Sequence, residues 1–218
     1  MKKFSLVVGC AVVALVAGAA NAAITGVYVD ASALNTTPGA AISGPSSDND
    51  DLWEIRPGFG ELSTILEAYQ GEGANIGVNR ENVPLITTSV SGLNPLGIYD
   101  IRVVYWTNTS AAATFEPWGI AAALSGDPLQ ALYDPQGTAT GTTAGSGDLV
   151  QREFVLGQVQ GVSSFAVDID GTTENNIVRQ WYDGVSYEQV GLVPEPNSAV
   201  LLLMGMAGLW HTSRRRRS

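Results

Sequence analysis

The chain predicts an all-β sandwich carried as a single domain between two apolar ends, and three observations predict it. The first is a period of two: Tyr99, Ile101, Val103 and Tyr105 alternate with Asp100, Arg102, Val104 and Trp106, and Phe165, Val167 and Ile169 alternate with Ala166, Asp168 and Asp170. The second is punctuation by Ser91-Gly92, Asn94-Pro95, Asp170-Gly171 and Asp183-Gly184, dipeptides that favour tight reversals at the spacing of a sandwich. The third is that the long apolar stretches sit only at the termini, where they read as targeting segments rather than as core.

At the N-terminus, Lys2 and Lys3 precede an apolar run from Phe4 to Ala20, and Ala20-Asn21-Ala22 has the small-x-small form that signal peptidase cuts. Residues 1–22 are therefore expected to be a signal helix removed after Ala22. A lipoprotein site at Gly9-Cys10 would leave only Phe4 to Val8 as apolar core, with the longer apolar stretch downstream of the cut. Cleavage after Ala22 removes Cys10, the only cysteine, so neither a disulfide framework nor a thiolate site is available to the remaining chain.

The expected domain is 23–192, long enough to bury a core of its own. Strands are expected at Ile24 to Val29, Leu85 to Val90, Trp118 to Leu124, Arg152 to Leu156 and Trp181 to Val190, beside the two alternating runs. Asn35 to Asp51 is polar and Gly137 to Gly147 is a Gly/Thr/Ala run, so both are expected as loops. Residues 62–69 stay open. Leu62, Ile65, Leu66 and Tyr69 fall at helical spacing, with a slight advantage over the strand alternation of Ile65, Glu67 and Tyr69.

Between Ala23 and Val193 five arginines stand against twenty carboxylates, a net of −15 where the whole chain carries −10. Such a surface repels a phosphate backbone, which argues against nucleic acid as a partner and fits divalent cations or solubility outside the cell. The only histidine is His211, in the tail, and both lysines lie in the signal segment. Serine or cysteine triads, zinc sites built on His or Cys, and Schiff-base chemistry all lack their residues in the domain, so no catalytic residues are assigned and a non-enzymatic role is expected. A carboxylate pair acting on glycosides remains as a third reading.

Two sets of side chains are candidates for binding. Asp168 and Asp170 share a strand face about 7 Å apart and could begin a calcium site, or could be solvated at a strand end. The acidic loop at Asp48, Asp50 and Asp51 reads the same way. Trp106, which shares the polar face of its strand with Asp100, and Trp181, beside turn residues, could offer aromatic faces to a sugar ring, with polar groups such as Asp183 at the start of the closing strand flanking to bind hydroxyls. Tryptophans in a sandwich also pack between sheets, and Asp183 could be a plain turn residue. Trp53 and Trp118 pose the same choice.

The C-terminal stretch joins Val193-Pro194-Glu195-Pro196 to an apolar run from Ser198 to Trp210 and then to Arg214, Arg215, Arg216 and Arg217. Thirteen residues span about 20 Å as a helix, against ~30 Å of hydrocarbon, and snorkelling arginines extend such a span while holding their own end cytoplasmic. This tail (193–218) closely resembles the PEP-CTERM sorting signal of Gram-negative bacteria. The resemblance implies a membrane protease of the exosortase class as partner, which recognises Pro194-Glu195-Pro196 and cuts near it. It further implies a precursor anchored in the inner membrane and a product delivered to the cell surface or extracellular matrix. In the domain, Ile65-Leu66-Glu67-Ala68, Glu81 to Thr88, Ser91-Gly92-Leu93, Tyr99 to Trp106 and Trp181 to Val185 are similar to the cadence of galactose-binding-like jelly rolls. Asn94-Pro95-Leu96-Gly97 departs from the tight Pro-Gly turn of that pattern. The resemblance implies a jelly-roll sandwich. Two functions stay open beside the enzyme: a carbohydrate-binding or adhesive module facing extracellular polysaccharide, and a purely structural matrix protein. No cofactor is required by either, with Ca2+ as the one candidate ligand.

Overall fold

The computed structural model describes residues 23–43, 52–56, 65–69, 83–108, 118–133, 136–144, 148–170 and 179–194, together with Met204 and Met206. The signal segment, the Asp48 to Asp51 loop and most of the tail lie outside the described residues. Among the described residues no helix is long and apolar enough to cross a membrane.

Between Ala23 and Pro194 the described regular elements are all strands apart from one 3-10 turn, Gly39–Ala41. Its strands are β1 (Val27–Asp30), β2 (Thr36–Thr37), β3 (Ile42–Ser43), β4 (Trp53–Arg56), β5 (Ile65–Tyr69), β6 (Ile86–Ser91), β7 (Gly97–Asn108), β8 (Trp118–Leu124), β9 (Gln130–Tyr133), β10 (Thr138–Ala144), β11 (Leu149–Gln160), β12 (Ser164–Asp170) and β13 (Arg179–Leu192). They form one mixed sheet in the order β10-β11-β7-β13-β8-β12-β6-β2, with β1 and β5 also on β13, β4 on β5, β3 on β4 and β9 on β8. Pairing is antiparallel except for β13 with β8 and β3 with β4.

β13 is the hub because its length lets different partners share each edge. β7 pairs with it from Tyr182 to Leu192, and β8 meets it at Arg179 and Gln180. β5 also pairs at 179–182 and β1 at 184–187, so these two must occupy the opposite edge. The main core draws on both arms of the sheet: Ile101, Val103, Tyr105, Tyr182 and Val185 pack in one cluster with Ile86, Val90, Ile120, Phe165, Val167 and Ile169. On the other face of β7 and β13 a small cluster joins Trp106 and Trp181 to Ile65 and Leu149.

The alternating runs become β7 and β12, and every other expected strand is present within a few residues. Three expectations change. Gly137 to Gly147 is not loop throughout: β10 occupies Thr138–Ala144 and pairs with β11, with Gly141 (φ +83°) at the register shift between Ala139 and Thr143. Asn35 to Asp51 is not loop throughout, since β2 pairs with β6, the 3-10 turn follows, and β3 pairs with β4. At 62–69 the slight helical advantage yields to β5. That strand is hydrogen-bonded on one edge to β13 and on the other to β4, and Ile65, Leu66 and Glu67 are all buried. A strand covered on both faces loses the period of two that marks strands in a sequence.

A file of hydroxyls crosses the core. Tyr182 donates to Thr88 Oγ1 (2.7 Å), Thr88 and Thr36 share a hydrogen bond (2.9 Å), and Thr36 donates to Asn35 Oδ1 (3.0 Å). Each of the two threonine hydroxyls accepts one bond and donates one, which is how buried hydroxyls escape a desolvation penalty. Tyr182→Phe is expected to cost about 1 kcal/mol, read as a lower urea midpoint with an unchanged slope.

Candidate functional site

Asp183-Gly184 does not reverse the chain. It forms a bulge inside β13: the register to β7 shifts between Tyr182 and Gly184, which leaves Asp183 without a ladder partner there. A bulge re-aims its extra side chain, and this one directs Asp183 onto the face that carries Trp106 and Gln151. Its carboxylate accepts from the Trp106 indole N–H at Oδ2 (3.1 Å), from the Gln151 amide at the same oxygen, and from the Tyr28 hydroxyl at Oδ1 (2.8 Å). Tyr28 also lies 3.0 Å from the Asp183 carbonyl and 3.2 Å from Asp30 Oδ1. Ala31 N–H donates to the Asp183 carbonyl, so β1 is fastened to the bulge by backbone and side chain together.

Asp183 is 1% exposed. Burial disfavours its charge and raises its carboxyl above the ordinary range, although the bonds from Tyr28, Gln151 and Trp106 pull the other way. Burial also pushes the Tyr28 phenol upward, reinforced by the negative charges of Asp183 and Asp30. The Tyr28 hydroxyl thus stands between two carboxylates, Asp183 and Asp30, with one proton to offer them.

The exposed aromatic platform expected at Trp106, Trp181 and Asp183 is not formed. Trp106 is fully buried and Trp181 is 3% exposed, so neither indole offers a face to a sugar. They are drawn inside because the second face of β7 and β13 is covered in this region, and Asp183 is consumed as the acceptor for the indole it was expected to flank. Trp53 is likewise buried, its indole N–H donating to the Pro84 carbonyl (2.8 Å). The side chain of Trp118 lies outside the described residues.

Asp168 and Asp170 lie on the outer face of β12, as their alternation with Val167 and Ile169 requires, and both are half-buried. Asp168 Oδ1 accepts from the Thr87 hydroxyl across the β12–β6 pair (2.7 Å). Among the described residues no group of three or more His, Cys, Asp or Glu comes together, so this pair starts an oxygen cage without completing the six to eight ligands that calcium takes.

Two groupings had no signal in the sequence. Glu54 and Glu67 face one another across β4 and β5, both buried, with Trp181 opposite Glu67 on the next strand. They are a facing carboxylate pair such as a glycosidase needs, but solvent does not reach them. The second is an open cleft of about 350 Å3 lined by Gly26, Val27, Gly92, Leu93, Tyr99, Tyr187, Glu188 and Gln189. It gathers residues some 160 positions apart, which no local spacing could reveal.

Of the tail, Val193 donates its N–H to the Leu96 carbonyl (2.7 Å), in the turn before β7, and Pro194 follows. Glu195, Pro196, Arg214 to Arg217 and the cleavage residues Ala20 and Ala22 lie outside the described residues. Comparison of the chain with family models, with curated proteins and with solved structures finds no match.

Proposed function

We propose that the chain is an exported protein of the cell surface or extracellular matrix. Its domain is a two-layer jelly-roll sandwich that binds extracellular polysaccharide without transforming it, and its tail is an exosortase-type sorting signal. The observation that carries the reading is the junction of domain and tail. β13, the hub of the sheet, continues to Leu192 and is pinned once more at Val193, where Pro194-Glu195-Pro196 begins. The described sheet reaches to where the motif starts, a layout that suits a domain that is delivered and then cut loose. The layered reading is supported by the shared core of the β7–β13 and β6–β12 arms. The net charge of −15 between Ala23 and Val193 suits a protein that stays soluble among polymers outside the cell.

In a host that carries an exosortase, the released protein is expected to lack Arg214 to Arg217 by mass spectrometry, and Glu195→Ala is expected to leave an unprocessed form in the membrane fraction. Native released protein that still ends in the four arginines would overturn the sorting reading.

A further inference from the structure

We infer that the cleft between Tyr187 and the Gly92 turn is a binding site for a neutral saccharide, with one sugar ring lying against Tyr187. The inference rests on the carbohydrate-binding reading above and gives it a location. The volume of about 350 Å3 falls at the lower end of the ~300–1,000 Å3 usual for small-ligand sites, the size of a mono- or disaccharide.

The lining has the composition such a ligand needs. Tyr187 is half-buried and held by edge contacts to Tyr99 (centroids 6.0 Å apart, planes at 70°) and to Phe165 (5.7 Å, 70°), so its ring is fixed before any ligand arrives. A fixed aromatic surface spares the entropy of ordering it on binding. Around it stand hydrogen-bonding groups of both kinds. Gln189 is exposed, its Nε2 donating to the Gly191 carbonyl (3.3 Å) and its Oε1 3.5 Å from the Tyr99 hydroxyl, which leaves one amide N–H and one lone pair for a ligand. Tyr99 is anchored by the Asn94 N–H (2.9 Å). Backbone is bared at Gly92, whose φ of +85° favours glycine and before which there is open space to 4 Å.

Charge decides the ligand class. Glu188 is the one ionisable group of the lining other than the tyrosines, and its carboxylate is met by Arg102 at 3.3 Å. No uncompensated cation lines the cleft to hold a sulfate, phosphate or uronate, and the acidic domain repels one. A polyhydroxylated neutral molecule matches the remaining amide capacity of Gln189, the bared backbone at Gly92 and the Tyr187 ring together.

The test uses the full-length chain in a zwitterionic detergent and saturation-transfer NMR with cellobiose, maltose, lactose and mannobiose as probes. At least one disaccharide is expected to receive saturation, strongest on one ring face. Val27→Trp should abolish the signal by filling the cleft, since Val27 is 52% exposed at its rim and its replacement disturbs no core contact. Gln189→Ala should weaken affinity about tenfold, the loss of one or two hydrogen bonds. Tyr187→Phe should retain binding, because the ring remains. Binding that survives Val27→Trp and Gln189→Ala unchanged places the saccharide elsewhere and sinks the cleft alone. No binding of any probe sinks the cleft and the carbohydrate reading together, while leaving the sorting reading to its own test.

Discussion

Asp183→Ala is expected to destabilise the domain by about 3 kcal/mol, a large share of the ~5–15 kcal/mol that holds a domain folded. The substitution strips the acceptor from two buried donors, the Trp106 indole and the Gln151 amide. Each orphan costs roughly 1–3 kcal/mol, and relief from burying a carboxyl offsets part of the sum. Tyr28 keeps Asp30 and the Asp183 carbonyl as partners and so adds little. Asp183→Asn separates the hydrogen bonds from the charge. Its amide oxygen still accepts from Trp106 and Gln151, and its amide nitrogen donates to the Tyr28 oxygen while the phenolic proton turns to Asp30. The expected cost is within about 1 kcal/mol at neutral pH. The pH dependence follows from the raised carboxyl. The folded state holds the Asp183 proton more tightly than the unfolded chain, so this group's contribution is fully present below the unfolded value of about 3.9. It is lost as pH rises through the folded value. Chemical denaturation across pH 3 to 8 should therefore show wild type losing stability relative to Asp183→Asn as pH rises. Parallel curves for the two proteins would mean that Asp183 carries no such linkage.

Gly184→Ala is expected to cost about 3 kcal/mol, near the upper end for overpacking, because the neighbour it meets is backbone. A Cβ there would overlap the Val29 carbonyl oxygen and come within 3.0 Å of Tyr28 Cε2 and 3.2 Å of Ala31 N. None of these can step aside without lifting β1 from β13, and with β1 go Tyr28 and Asp30. Amide exchange should show the loss as deprotection of residues 27–31 ahead of the rest of the sheet. Uniform deprotection, or a stability unchanged from wild type, would show that β1 is not held in the way the geometry implies.

The β class was legible because β12 buries one face and leaves the other half-exposed, which writes an alternation into the chain, and because the start of β7 does the same from Gly97 to Asp100 before both its faces are covered. β5 was not, since it is covered on both faces and bonded on both edges, and a run such as Ile65-Leu66-Glu67 then has no period to read. β10 was hidden by composition: its glycine and threonines resemble a linker, and only pairing with β11 makes them a strand. At the candidate site the sequence singled out Trp106, Trp181 and Asp183 and the structure does bring Trp106 and Asp183 into contact, but as a buried unit. Residue type announces that an aspartate and an indole can meet; whether water reaches them depends on what covers the face. The tyrosine cleft was beyond reach for a different reason. Gly26, Gly92, Tyr99 and Tyr187 come from four segments that only the sheet order brings together.

On the proposed sorting reading, in which a membrane holds the tail, the pinning of Val193 to Leu96 limits how far the domain can stand from that membrane. From Val193, which makes the last described hydrogen bond, to Asn197 there are only five residues before the apolar run. Fully stretched they reach at most about 18 Å, less than the ~30 Å breadth of a domain this size. On that reading the end bearing Leu96 and Leu192, both exposed, would be held close to the lipid headgroups. The cleft residues Gly92 and Gln189 lie three to four positions from that end, so a small disaccharide would reach the proposed cleft more readily than a long polymer. Severing the tail would then free the domain to turn, and the proposed grip on matrix polymers would begin only after release.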